Sequence, residues 1–266
     1  MAAVWCGVDV SARRGHHLCV LEGDGGALRT TFYEPGKTAE VVRTIARLSP
    51  AAVGIDAPSG PCRRLLGPGS AARQALDLKP GSYLRARVCD ALLMRRRLSL
   101  YQVPAEGEAV PPWMKAGFEL FEAVAATTTG LTLYRPPAPP PYEGPTAPSS
   151  GRVFETYPDA AFCALLGHRP PKKATAQGVA ARVAALTAEG VTDPSGLEQR
   201  STDDLDACVA ALTAHRLATG SAGWVGDRNE GVIVLPVREL KRSYAPAHTA
   251  VPARQALDPP TGGAAS

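Results

Sequence analysis

No C-x-x-C pair occurs in this chain: its six cysteines, Cys6, Cys19, Cys62, Cys89, Cys163 and Cys208, stand singly along 266 residues. That spacing offers no structural zinc site and no disulfide framework, and it predicts reduced cysteines packed on apolar faces in a reducing compartment. No apolar run is long enough to span a bilayer. No basic segment and apolar stretch precede the first strand-like run, so the sequence predicts a cytoplasmic chain with no membrane partner. A G-x-x-x-x-G-K-S/T phosphate loop and a G-x-S-x-G nucleophile turn are both missing, which removes support for those two enzyme classes.

What remains is the composition of an ordinary globular protein, 45% hydrophobic and 20% charged. The length suits one large domain, expected over residues 1–242, with a helical insertion at about 62–130 and a Pro-rich loop at 136–150. Residues 243–266 are small and Pro-rich and are expected to form a disordered tail. The net charge of +4 permits a polyanionic partner without requiring one.

Alternating apolar residues predict strands over Val4–Val10, His17–Glu22, Leu28–Tyr33, Ala52–Asp56, Val153–Tyr157 and Gly231–Pro236, with a hairpin turn at Gly23–Gly26. Val41, Val42, Ile45 and Leu48 recur at helical spacing, so a helix with Thr38 as N-cap should join strands three and four as a right-handed crossover. Further helices are expected over Tyr83–Leu100, Trp113–Ala126, Asp159–Leu166, Ala174–Ala188 and Asp203–Ala218, the last with an apolar stripe of Leu205, Cys208, Val209, Leu212 and Leu217. Proline is too dense across 136–150 for a helix or central strand, which predicts an exposed polyproline-like loop.

Asp9, Asp56 and Glu155 each close a short apolar run, and Asp203, Asp204 and Asp206 open the last helix. A carboxylate placed there is costly unless paired, protonated or bound to a cation, so three strands ending in acids suggest a shared metal. Asp203 and Asp206 lie three apart and so share a helix surface, whereas Ser201–Asp204 also suit a plain N-cap. Oxygen donors without clustered His or Cys favour Mg²⁺ or Mn²⁺ over Zn²⁺. Arg85, Arg87, Arg95–Arg97 and Lys172–Lys173 could grip phosphate, with Arg85, Arg95 and Lys173 as the candidate substrate-binding residues. His16 and His17 are expected at the surface.

The segments GVDVS, GIDAPSGP, LRARVCDALL with its Arg85-x-x-x-x-Asp90 pattern, Gly117-Phe118, FETYPDAAF and DDLDACVAALTA together resemble the predicted RNase H-like nuclease family, also known as domain of unknown function four-two-nine. The resemblance runs over most of residues 4–236. It implies an α/β, RNase H-like fold: a mixed sheet of three antiparallel strands then two parallel ones, with helices on both faces and a helical insertion. It also implies Asp9, Asp56 and Asp206 as ligands of two divalent ions, with Asp203 as an accessory ligand and Glu155 at the family's Glu-x-x-Pro position. The implied activity is phosphodiester hydrolysis on nucleic acid or another phosphodiester, with Asp9, Asp56, Glu155 and Asp206 as the catalytic set. Two alternatives stand beside it. One is a non-catalytic nucleotide- or nucleic-acid-binding module of the same fold. The other is an actin-like or sugar-kinase-like phosphotransferase, disfavoured because Val10-Ser11-Ala12 lacks a phosphate-cradling glycine.

Overall fold

The computed structural model describes residues 3–23 and 26–246. Among these, the chain runs β1 (Ala3–Asp9), β2 (His16–Gly23), β3 (Leu28–Gly36), α1 (Thr38–Leu48), β4 (Ala52–Asp56), α2 (Ala71–Ala75), α3 (Val88–Arg95), α4 (Pro112–Thr127), β5 (Thr132–Leu133), β6 (Glu143–Pro145), β7 (Arg152–Glu155), α5 (Pro158–Leu166), α6 (Ala176–Ala188), β8 (Val191–Thr192), α7 (Thr202–Ala218), β9 (Gly223–Asp227) and β10 (Gly231–Leu235). The strands form one mixed sheet in the order β6-β9-β10-β7-β4-β1-β2-β3-β8, with β5 beside β7. β1, β2 and β3 meander antiparallel, and β4 pairs parallel with β1. The parallel step needs a crossover, which α1 supplies. β7 then pairs parallel with β4, and β10 parallel with β7.

Strand alternation separates two cores. Cys6 and Val8 of β1 and Val53 and Ile55 of β4 face one way, packing with Val41, Val42 and Ile45 of α1 and Leu120, Phe121 and Val124 of α4. Trp5 and Ala52 face the other way, among the residues of α7. Gly7 and Gly54 lie on this second face, and the absence of side chains there lets α7 rest directly on the sheet. A Cβ on Gly7 would collide with the backbone of Ala207 and Ala211, and one on Gly54 would stand 2.6 Å from the Ala210 carbonyl. Because α5 and α6 cover its outer side, α7 is buried nearly all round from Leu205 to Ala214, not along the single stripe its sequence suggests.

Other differences have local causes. The helix expected over Tyr83–Leu100 is confined to Val88–Arg95, because Tyr83 and Arg97 adopt left-handed backbone conformations that a helix cannot continue through. The Pro-rich loop is largely exposed, but Glu143–Pro145 within it forms β6 at the sheet margin, where Pro145 is tolerated, and Tyr142 and Thr146 are buried. β5, β8 and β9 were not legible: two are dipeptides, and GWVGD carries two glycines. Tyr244 is buried at 1% exposure, so chain packing extends past Ser243; the remainder of the expected tail, and part of the expected Gly23–Gly26 turn, lie outside the described residues. All six cysteines are free and buried. Among the described residues no helix is long and apolar enough to cross a membrane.

Candidate active site

Asp9 and Asp56 are direct partners in the parallel β1–β4 register, so both side chains leave the same face of the sheet, the face covered by α7. α7 runs antiparallel to these strands: Ala207 and Ala211 sit over Gly7, and the helix N-terminus extends beyond them toward the strand ends. Asp206 and Asp203 are thereby carried to the two strand acids. The positive end of the helix dipole also points at this cluster and favours its charge.

The carboxylates raise one another's pKa. Burial, then Asp206 and Asp203, push Asp9 up to about 7, even though a hydrogen bond with Asp56 and the charge of Lys173 act in the opposite sense. Burial, followed by the charges of Asp9 and Asp206, lifts Asp56 well above the ordinary carboxylate range. Both residues keep partial solvent contact, but the surrounding protein denies them most of their hydration. Asp206 is 3% exposed and is raised by burial, with Lys173 opposing. Lys173 Nζ donates to Asp206 Oδ2 at 2.9 Å, while Asp206 Oδ1 is buried with no hydrogen-bond partner among the described residues. Burial works against the Lys173 ammonium, yet Asp206 outweighs it and holds its pKa above the usual lysine range.

Among the described residues, no three His, Cys, Asp or Glu side chains are already arranged to hold a metal ion. The side-chain contacts supply a physical reason: Asp206 is engaged by an ammonium, and Asp9 and Asp56 are disposed to share a proton. The donor set itself suits a hard cation, being all oxygen, in charge excess and including the unpartnered Asp206 Oδ1.

Of the two acids at the start of α7, Asp204 is structural. It completes a capping box with Ser201 and accepts from His17 Nδ1 at 2.7 Å. Asp203 pairs with Arg14 at 2.9 Å and faces the cluster. His16 and His17 are buried, contrary to the surface placement expected for them. Strand β2 carries them under the loop after β1, where His16 accepts from the Ser11 amide and meets Thr38 Oγ1 at 3.0 Å.

Glu155 stands apart from the other strand acids. It is in register with Ile55 rather than Asp56, so alternation sends it to the opposite face of the sheet. There Arg87, 2% exposed, binds Glu155 with two N–H groups at 2.6 and 2.8 Å and Asp90 at 2.9 and 3.0 Å, and the Ser59 amide also donates to Glu155. The arginine that pairs with Asp90 is thus Arg87, three residues before it, while Arg85 is exposed beside Glu108. Arg95 reaches the Leu76 carbonyl from an exposed position, and Arg96 is held by Glu143 and the Leu92 carbonyl. Arg95 and Arg85 therefore lie away from the acids, whereas Lys173 is among them. The i,i+3 spacing of Arg87 and Asp90 was the available signal for the buried pair.

A cavity of about 350 Å³ opens beside the cluster, lined by Asp56, Lys173 and Asp206, by Arg87, Asp90 and Glu155, and by an apolar side that includes Tyr101, Trp113 and Met114. The aromatic members carry no sequence pattern that would have marked them.

A family model described as "Protein of unknown function (DUF429)" matches residues 7–230, and the chain belongs to that family. No curated protein and no solved structure matches it.

Proposed function

We propose that this member of the family is a metal-dependent nuclease of RNase H-like fold that hydrolyses phosphodiester bonds, with Mg²⁺ or Mn²⁺ held by Asp9, Asp56 and Asp206 and with Asp203 beside them. The observation that carries this reading is the gathering of Asp9, Asp56 and Asp206 on one face, close enough that each raises or is raised by another. A chain tolerates such mutual repulsion poorly unless a cation relieves it. The strand order supports the fold: three antiparallel strands, a parallel fourth on the far side of the first, and a late helix over the acids.

A bound divalent ion supplies charge neutralisation at a phosphoryl oxygen and a more acidic water. The protein's own groups do the rest. Asp9, Asp56 and Asp206 would hold the ion, Asp9 and Asp56 as carboxylates that have lost their protons to solvent and Asp206 through Oδ1. Lys173, an ammonium half exposed at the cavity edge, would serve substrate phosphate in place of Asp206 once the ion took over the charge of that carboxylate. Arg87 and Glu155 brace the cavity wall, a positioning role in place of the catalytic role that the resemblance implies for Glu155.

The test is cleavage of single-stranded and duplex DNA and RNA with Mg²⁺, Mn²⁺ or chelator. Metal-dependent cleavage lost in Asp9→Asn and Asp206→Asn is the expected result. No cleavage together with no Mn²⁺ binding would overturn the reading. The Lys173–Asp206 ion pair, which neutralises Asp206 without metal, favours one second reading in that event: a non-catalytic nucleotide- or nucleic-acid-binding module.

A further inference from the structure

Tyr101 is 70% exposed, the most exposed large hydrophobic side chain among the described residues. It is not a loose surface ring. Its centroid stands 5.4 Å from that of Trp113 in an edge-to-face pair, and both rings line the cavity that also holds Asp56, Lys173 and Asp206. The loop that carries Tyr101 is fastened on both sides: Tyr157 Oη donates to the Ser99 carbonyl at 2.6 Å, and the Cys62 amide donates to the Pro104 carbonyl at 2.9 Å. A fixed, solvent-facing aromatic face beside acids and an ammonium suits a ligand that is flat and apolar at one end and anionic at the other. The cavity volume, about 350 Å³, is at the small end for ligand sites and suits one such unit rather than a double helix.

We propose that Tyr101, backed by Trp113, is a stacking platform for an unpaired nucleobase whose attached phosphate lies toward Asp56, Asp206 and Lys173, so that the site takes single-stranded nucleic acid rather than intact duplex. The inference rests on the nuclease reading for the role of the phosphate end, but the stacking is tested separately from it. A planar base is the ligand class that combines a π-face with a phosphate, and aromatic stacking is how proteins hold unpaired strands with little regard to sequence.

The experiment is equilibrium binding to the full-length protein, with Ca²⁺ so that turnover does not intrude and again with chelator. The probes are a short single-stranded oligonucleotide, the same strand with abasic positions, its duplex, and adenosine monophosphate. Tyr101→Ala should weaken the single strand by about tenfold or more and leave the abasic strand unchanged, while Tyr101→Phe binds as wild type. Tyr101 is too exposed for its truncation to threaten the fold. Tyr101-dependent binding of the oligonucleotide, with the mononucleotide bound more weakly or not at all, supports the platform for a strand; Tyr101-dependent binding of the mononucleotide alone would assign the base to a free nucleotide and overturn the strand. Equal binding of natural and abasic strands, duplex binding that is as tight and insensitive to Tyr101, or no binding of any probe overturns it. Dependence on Ca²⁺ reads the acidic cluster and dependence on Tyr101 reads the platform, so one can fail while the other stands.

Discussion

The Lys173 ammonium donates to one oxygen of Asp206 at 2.9 Å and leaves the other, Oδ1, buried and without a partner among the described residues. The lysine therefore compensates the charge of a carboxylate whose hydrogen-bonding capacity is only half used. Such an arrangement neutralises Asp206 and leaves one of its oxygens unsatisfied.

Lys173→Met removes that compensation. The metal-free variant should lose about 1–2 kcal/mol, below the roughly 3–5 kcal/mol of a fully buried pair because Lys173 is half exposed. Mn²⁺ should stabilise the variant more than the wild type, since the ion no longer competes with an ammonium. Thermal melts with and without Mn²⁺ measure both effects, and identical metal responses in the two proteins would count against Asp206 as a ligand.

Metal affinity should depend on pH. Asp9 titrates near 7 and Asp56 above its ordinary range, so binding must displace protons. Calorimetric titration with Mn²⁺ should show tightening between about pH 6 and about pH 8, by up to roughly tenfold per pH unit for each proton released. An affinity independent of pH in this window would place the ion elsewhere.

Asp9→Asn should stabilise the metal-free protein, and only at the higher pH. The folded-state pKa of Asp9 is raised, so its contribution favours folding below the ordinary carboxylate range and is lost as pH rises through about 7. Variant and wild type should melt together only below about pH 3, where the acid is protonated in both states. Near about pH 8 the variant should melt several degrees higher, at about 2–4 °C for each kcal/mol of repulsion relieved. A gap that is the same at both pH values would mean that Asp9 charge is not the cause.

Arg87→Ala should destabilise the fold by about 3–5 kcal/mol, because it strands Asp90 and Glu155 in a buried setting. Glu155→Gln should lower stability while leaving Mn²⁺ affinity within a few-fold of wild type. Denaturant melts and metal titration separate the two quantities. A Glu155→Gln variant that folds normally and has lost metal binding would place Glu155 among the ligands.

Local sequence determined most of the secondary structure: the alternation in β1, β2 and β4, the helical spacing of Val41, Val42 and Ile45, and the Ser201 cap that begins α7 are short-range patterns. It also marked Asp9, Asp56 and Asp206 as acids out of place. Tertiary structure alone decided which acids meet. Glu155 closes its strand just as Asp56 does, but pairing with Ile55 sends it to the other face of the sheet, where Arg87 claims it. Lys173 reads as a candidate phosphate-gripping lysine before α6, and only the docking of α7 onto Gly7 and Gly54 places Asp206 against it. Tyr101 and Trp113 are twelve residues apart on different elements, and nothing local shows that their rings touch beside the acids. Secondary structure depends on neighbours a few residues away, whereas register, face and counter-ion depend on partners that only the packed chain brings together.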